Sequence, residues 1–101
     1  LVDAGDVALH EDAGDDDRIR AAIAACPGPL IALGGDHAIS FPVVETLAHR
    51  HGAFDILHFD AHPDLYDELD GNRRSHASPF ARIMEGGHAR RLVQVGIRTL
   101  N

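Results

Sequence analysis

The sequence predicts an α/β fold in which helices cover both faces of a parallel β-sheet. Short apolar runs, typical of buried strands, alternate along the chain with segments whose apolar residues recur at helical spacing. This alternation favours a parallel sheet, because parallel neighbours need a crossover connection between them. With 45% hydrophobic and 25% charged residues, the 101-residue chain has a globular composition and enough apolar side chains for one small core.

Two strands and one helix are predicted in the first third of the chain. LVDAGDV, residues 1–7, is typical of a first strand and its exit. DDDRIRAAIAAC, residues 15–26, predicts a helix, because acidic residues suit a helix N-terminus and apolar residues follow at helical spacing. Proline and glycine at 27–29 end this helix, and LIAL, residues 30–33, predicts a second strand.

One helix and one strand are predicted in the middle of the chain. ISFPVVETLAHRHG, residues 39–52, predicts a helix in which Ser40 suits the N-cap, Pro42 the first turn and Gly52 the end. The apolar run FDILHF, residues 54–59, then predicts a buried strand.

The last third predicts a long loop, a helix and a strand. LYDELDGNRRSHA, residues 65–77, is polar, and loops of that length in compact domains tend to be functional or disordered. SPFARIMEGG, residues 78–87, predicts a helix opened by serine and proline and closed by two glycines. RLVQVGI, residues 91–97, predicts the last strand.

Charge, hydropathy and cysteine content exclude several classes of protein. The formal net charge of −7 disfavours a nucleic-acid or anionic-membrane partner. No run approaches the roughly 18 apolar residues that cross a bilayer, and residues 1–10 lack a basic and apolar signal peptide. Cys26 is the single cysteine, so a disulfide or a Cys-based zinc site within this chain is excluded. We therefore expect no membrane partner and a cytoplasmic location.

Ionisable side chains follow two of the predicted strands. LIAL continues into GGDH, which ends at His37, and FDILHF continues into Asp60, His62 and Asp64. Ligands of parallel α/β sheets gather outside the carboxyl ends of the strands. If the two strands are neighbours, these four side chains lie at one edge of the sheet.

The types and spacing of these side chains favour a divalent metal site. Side chains alternate along an extended chain, so Asp60, His62 and Asp64 are expected on one side, and Pro63 favours an extended residue before it. Carboxylates with imidazoles and no thiolate suit Mn²⁺, or else Zn²⁺ or Fe²⁺. Two neighbouring carboxylates repel unless a cation lies between them, which favours a pair of ions bridged by a carboxylate.

Simpler explanations compete with a metal site. A D-x-H-x-D run also occurs in solvated loops, and the glycines of GGDH also suit a tight turn or a phosphate site at a helix terminus. His58 is either a satisfied buried histidine or a residue that supports a ligand. The remaining histidines outside the motifs are interpreted as solvated: His10, His49, His51 and His88.

Three motifs together resemble a known family. GGDH, HFDAHPDLYD and SHASPF, in this order and at these separations, resemble the ureohydrolases, which include arginases, agmatinases and related amidinohydrolases. The stretch from DAHPD to VGIR, residues 60–98, is similar to plant-type arginases in particular. The resemblance implies an arginase-like three-layer α/β/α fold, of which residues 1–101 form a partial domain containing its N-terminal to central portion.

The resemblance also implies a site with two Mn²⁺ ions. His37 and Asp64 would bind one ion, His62 the other, and Asp60 both. A metal-bridging hydroxide would attack the guanidinium carbon of a small-molecule substrate and release urea and an amine. Asp64 would take up the proton of the nucleophile. His76 in SHASPF would exchange protons between solvent and the departing amine, because imidazoles exchange protons near neutral pH.

The resemblance leaves two substrates open. Asn72 and Ser75 lie in the loop that faces the far end of the substrate in such enzymes. Residue 66 is a tyrosine, as in agmatinase-like members, whereas animal arginases have an asparagine at this position. The match to plant-type arginases favours hydrolysis of L-arginine to L-ornithine and urea, with hydrolysis of agmatine to putrescine and urea as the alternative.

The chain lacks two elements of the family pattern. A later D-x-D element that supplies further carboxylate ligands, and a glutamate that binds the guanidinium, are not found after these motifs. We therefore expect the chain to be a fragment of a longer protein, and to be inactive and marginally stable alone. The resemblance implies that the parent protein is a homo-oligomer, a trimer or hexamer. It would be located in mitochondria if it comes from a plant. A truncated metal-binding protein without activity is a further alternative.

Dinuclear metallophosphoesterases use similar motifs, but their D-x-H element precedes the glycine-led histidine motif, the reverse of the order here. The acidic surroundings also disfavour an anionic phosphate substrate.

Overall fold

The computed structural model describes residues 2–99 as an α/β unit with a parallel two-stranded sheet. Its helices and strands follow in this order: α1, Asp15–Ala24; a 3₁₀ turn, His37–Ile39; α2, Ser40–His51; β1, Phe54–Phe59; α3, Pro79–Glu85; and β2, Ala89–Val95. The prediction of an α/β fold with a parallel sheet is confirmed.

The ends of α1 are stabilised by side chains. The Asp15 carboxylate accepts hydrogen bonds from the backbone N–H groups of His10 and Glu11, each at 2.9 Å, in a first turn that is acidic as predicted. At the other end, the Arg50 guanidinium donates to the backbone carbonyls of Ile23, Ala24 and Cys26. A cation from α2 thus satisfies the free carbonyls where α1 ends.

The start of α2 differs from the prediction, whereas its end agrees. Ser40 is not the N-cap, because a 3₁₀ turn runs directly into the helix and Asp36 caps that turn by accepting the Ala38 N–H at 2.9 Å. The end is confirmed: Gly52 takes a left-handed φ of 79° and donates its N–H to the carbonyl of Ala48 at 2.8 Å.

The strands β1 and β2 pair in parallel, with Phe54 opposite Ala89 and Phe59 opposite Val95. Both strands and the intervening α3 were predicted, with β2 beginning before its expected start. One sheet face packs on the helices through a core of Phe80, Ile83 and Ala89. Partly buried residues complete this core: Phe41, Val44, Ile56 and Leu92.

Two predicted strands are wrong for the part of the chain that the structure describes. Residues 2–7 and 30–33 take no strand conformation, and Ile31 and Leu33 are exposed. Leu1, also assigned to the first strand, lies outside the described residues. A strand forms only where its backbone pairs with a neighbour, and within residues 2–99 the sheet consists of β1 and β2 alone.

The second helical layer of the predicted fold is not found within residues 2–99. Four apolar side chains on that sheet face are exposed by 45% to 71%: Leu57, Phe59, Val93 and Val95. None of the described helices has the length and apolar character of a membrane span.

Candidate metal centre

The candidate site lies at the carboxyl end of β1, where the chain continues alongside β2. The Asp60 N–H donates to the Val95 carbonyl at 3.1 Å, and the Arg98 N–H donates to the Ala61 carbonyl at 2.8 Å. Gly96 permits this close approach, because a Cβ there would lie 3.1 Å from the Asp60 carbonyl oxygen. Residues 60 and 61 are therefore fixed to the sheet edge although they form no strand.

Four ionisable side chains converge at this edge. One ligand atom from each lies within 4.8 Å of those of the others: His37, His58, Asp60 and Asp64. We call these residues the cluster. Opposite ligands of one ion lie about 4.2 Å apart when each bond is about 2.1 Å, so a small contraction would let His37, Asp60 and Asp64 enclose a cation.

His37 reaches the cluster from the 3₁₀ turn. Its Nδ1 lies 2.9 Å from the Ser40 hydroxyl, which fixes the ring. Its Nε2 lies 3.2 Å from Asp64 Oδ2 but without hydrogen-bond alignment, so this buried nitrogen has no hydrogen-bond partner among residues 2–99. A buried ring nitrogen without a hydrogen-bond partner is costly, and coordination of a metal ion by its neutral form would satisfy it. The donor set therefore fits a divalent cation.

Asp60 is held in its charged form. The backbone N–H of His62 donates to Oδ1 at 3.0 Å and, with help from His58 at 3.2 Å from Oδ2, lowers the pKa of the Asp60 carboxyl to about 2 despite partial burial. A carboxylate that accepts such hydrogen bonds is ionised throughout the neutral range.

Asp64 is in the opposite electrostatic situation. Burial raises the pKa of its carboxyl, His37 opposes this rise, and the negative charge of Asp60 adds to it. Its backbone has a left-handed φ of 54°, a conformation that aspartate adopts more readily than most residues. Two carboxylates thus face each other in a partly dry site, an arrangement that a cation would stabilise.

His62 lies at the rim of the cluster. Its side chain is 64% exposed, and its Nδ1 is 3.4 Å from Asp60 Oδ1. Residues 60–64 were expected to be extended, with their side chains alternating between two sides. This expectation does not hold up to Asp64, because the backbone of Asp64 has a left-handed φ. The role of His62 as a ligand stays a prediction.

The other predicted site residues lie in the loop before α3. His76 is exposed, whereas Ser75 is buried with its hydroxyl 2.8 Å from that of Ser78. Asn72 is exposed, and its side-chain oxygen accepts the Arg74 N–H at 2.8 Å.

The role of His58 was open from its sequence context, and no sequence pattern pointed to Gln94. His58 is buried between Asp60 and Gln94, and its ring packs 4.3 Å from that of Phe80, centroid to centroid. The spacing of His58 from Asp60 indicated a shared side of the strand, but only the strand register shows that Gln94 lies opposite His58.

Comparisons with known proteins identify the family of this chain. The Arginase family profile matches residues 1–101. A mitochondrial arginase from Medicago truncatula is 53% identical over 112 aligned positions, which cover 99% of this chain and 33% of that protein. An N(1)-aminopropylagmatine ureohydrolase from Thermus thermophilus is 50% identical over 71% of the chain and 24% of its own length.

Structural comparison gives the same result. A solved structure of arginase from Medicago truncatula superposes with a TM-score of 0.82 at 55% identity, over 89% of this chain and 30% of that one. The chain spans about a third of the length of the plant relative. With the family profile matched along the whole sequence and an arginase-like fold, the chain belongs to the arginase family.

Proposed function

We propose that the protein carrying this chain is a manganese-dependent ureohydrolase that hydrolyses L-arginine to L-ornithine and urea. The observation that carries the proposal is the convergence of His37, Asp60 and Asp64, with the buried Nε2 of His37 unpartnered among the described residues. Membership of the arginase family and 53% identity to a plant arginase support this reaction.

The metal ligands in this proposal are His37, Asp60, Asp64 and, from the rim, His62. Mn²⁺ suits a set of carboxylates and imidazoles without thiolate. When bound, such ions supply hydroxide near neutral pH by lowering the pKa of coordinated water. Further ligands come from outside residues 1–101, which we propose form part of one larger arginase-like domain.

Proton transfer is assigned to two residues. The raised pKa of Asp64 favours its uptake of the proton from the nucleophile, because a buried carboxyl accepts a proton more readily than an exposed one. His76 is exposed and therefore able to exchange protons with solvent and pass one to the leaving amine. Asn72 and Ser75 are the proposed contacts to the far end of the substrate.

A specific observation keeps agmatine as a second candidate substrate. The tyrosine at position 66 is shared with agmatinase-like members of the family. The Thermus relative is named as a ureohydrolase of N(1)-aminopropylagmatine. We favour arginine because the identity to the plant arginase extends over 99% of the chain, against 71% for the Thermus protein.

The oligomeric state and the cellular location of the parent protein are inferred from the family. We propose a homo-oligomer, a trimer or hexamer, with a small guanidino compound as substrate. A mitochondrial location is proposed for a plant parent, because the Medicago protein is named as mitochondrial.

The test is urea release by the full-length protein loaded with Mn²⁺, with L-arginine and agmatine compared at equal concentrations. The proposal predicts that the specificity constant, kcat/KM, is larger for arginine. A preference for agmatine would establish the alternative substrate. Binding of Mn²⁺ without urea release from either compound would establish an inactive metal-binding protein.

A further inference from the structure

Gln94 links the strand β2 to the loop that carries the candidate metal ligands. It lies opposite His58 in the parallel register. Its side-chain nitrogen donates to the Pro63 carbonyl at 2.6 Å and lies 3.2 Å from His58 Nδ1. Pro63 directly precedes Asp64, whose backbone is left-handed.

These contacts determine the orientation of the Gln94 amide. The Pro63 carbonyl is solely an acceptor, so the atom 2.6 Å from it must be the amide NH₂ rather than the amide oxygen. The NH₂ group has a second N–H, and this one faces His58 Nδ1. Nδ1 therefore accepts a hydrogen bond and carries no proton.

The orientation of the amide fixes the tautomer of His58. An imidazole whose Nδ1 accepts is neutral and carries its proton on Nε2. That nitrogen lies 3.2 Å from Asp60 Oδ2 and 3.9 Å from Asp64 Oδ2, so its N–H donates to Asp60. Both ring nitrogens of His58 are engaged, which sets His58 apart from the other members of the cluster.

We propose that Gln94 is a positioning residue for the metal site. It holds His58 as the Nε2–H tautomer, which orients the Asp60 carboxylate, and it anchors the carbonyl next to Asp64. The Gln94 side chain hydrogen-bonds to His58 and Pro63, neither of which is a proposed metal ligand. The inference rests on the proposed function for the identity of the site, but the tautomer of His58 is measurable without metal.

Two substitutions separate positioning from simple packing. A carboxylate in Gln94→Glu only accepts hydrogen bonds, so it would lose the Pro63 carbonyl and favour a proton on His58 Nδ1, while Asp60 still accepts from Nε2–H. Gln94→Met keeps the length of the side chain but donates no N–H group. Arg90→Gln is the matched control, because Arg90 lies on the same strand, is 69% exposed and contacts Asp55 instead.

The first experiment is ¹⁵N NMR of the histidine rings in the metal-free, full-length protein, with the His58 signals assigned by their absence from His58→Gln. We expect a proton on Nε2 alone in the unsubstituted protein and in Arg90→Gln, and a protonated Nδ1 in Gln94→Glu. A folded Gln94→Glu protein that keeps Nδ1 unprotonated would overturn the proposal. Thermal unfolding verifies that each variant folds, and Gln94→Met provides a second test.

The second experiment is calorimetric titration of the same proteins with Mn²⁺. Loss of an outer partner of a metal ligand weakens binding by about 10- to 100-fold, and because Gln94 acts through His58 we expect the lower end, about 10-fold, for both Gln94 variants. Affinities within twofold of the unsubstituted protein would overturn the positioning role. A protein that fails to bind Mn²⁺ before any substitution would instead contradict the proposed function, whereas the NMR result decides the tautomer independently.

Discussion

The pKa values of Asp60 and Asp64 are shifted in opposite directions although the two residues belong to one cluster. Hydrogen bonds from His62 and His58 lower the pKa of Asp60 to about 2, whereas burial raises that of Asp64. Asp60 therefore stabilises the fold above the ordinary carboxyl pKa of 3.8, and this contribution is lost as the pH falls towards about 2. Ionised Asp64 has the opposite effect, because its folded pKa is raised, and its cost disappears as acid protonates it.

Asp64→Asn should therefore stabilise the metal-free protein at pH 7, because it removes a buried charge that faces Asp60. Asparagine also tolerates the left-handed backbone at this position. We expect a higher Tm than that of the unsubstituted protein, with a difference that shrinks as the pH falls through the folded pKa of Asp64. Mn²⁺ affinity should fall in the same variant. A lower Tm at pH 7 in metal-free buffer would contradict the electrostatic account of Asp64.

His76→Ala should reduce kcat for urea release by about 10²- to 10⁴-fold, the usual contribution of a general acid or base. Since His76 is exposed and outside the cluster, the Mn²⁺ content should not change. His51→Ala, at an exposed histidine at the end of α2, is the control and should keep full activity. An unchanged kcat in His76→Ala would remove this residue from the mechanism.

Residue types and spacing predicted that three of the four cluster residues lie together, but not the full arrangement of the cluster. Asp60, Asp64 and His37 were identified from motifs that follow apolar runs. Gln94 was missed, because it becomes a neighbour of His58 only through strand register. Register is a tertiary property that a local pattern does not contain.

At the scale of elements, the 3₁₀ turn that carries His37 is held by an arginine from the distant loop. The Arg74 guanidinium makes two 2.8 Å hydrogen bonds to the Asp16 carboxylate of α1 and one of 3.3 Å to the Ala38 carbonyl. It also lies 4.6 Å from the centre of the Phe41 ring. One side chain therefore connects α1, the turn and α2.

Arg74→Lys should destabilise the protein by about 1 kcal/mol, because lysine keeps the charge but loses the bidentate pairing and much of the stacking. The pair is roughly one-third exposed, which limits its contribution. Denaturant unfolding measures this change. Arg73→Lys is the matched control, since Arg73 is about half exposed and pairs with Glu85 at the surface, and it should change stability by less than about 0.5 kcal/mol. Equal effects of the two substitutions would refute the special role of Arg74.

Helices were easier to predict than strands in this chain. The signals for α1, α2 and α3 are local: the acidic first turn of α1, prolines, glycines and apolar spacing. LIAL has the apolar character of a strand, but residues 30–33 find no pairing partner within the described part of the chain. His37 nevertheless reaches Asp64, because Asp36 caps a turn that directs it there.

At the scale of the whole molecule, the sheet has one covered and one bare face within residues 2–99. The bare face carries Leu57, Phe59, Val93 and Val95, an exposed apolar patch of the kind that mediates association. The arginase-like fold covers a sheet with helices on both sides, so this patch is where we expect another layer of the complete domain.

The isolated 101-residue chain should therefore self-associate and bind a hydrophobic dye. The double variant Phe59→Thr and Val93→Thr should reduce both effects, because threonine favours strands but is polar. Light scattering and dye fluorescence measure them. Val7→Thr, at an apolar residue exposed outside the sheet, is the control. Equal dye binding by the double variant and the control would show that the bare sheet face does not drive association.

We propose that His37, Asp60 and Asp64 hold Mn²⁺ at the carboxyl end of β1. The most direct measurement is anomalous diffraction at the manganese absorption edge, from crystals of the full-length protein grown with Mn²⁺. We predict an anomalous peak within coordination distance of His37 Nε2 and of both carboxylates. A manganese peak elsewhere, with none in the cluster, would contradict the claim.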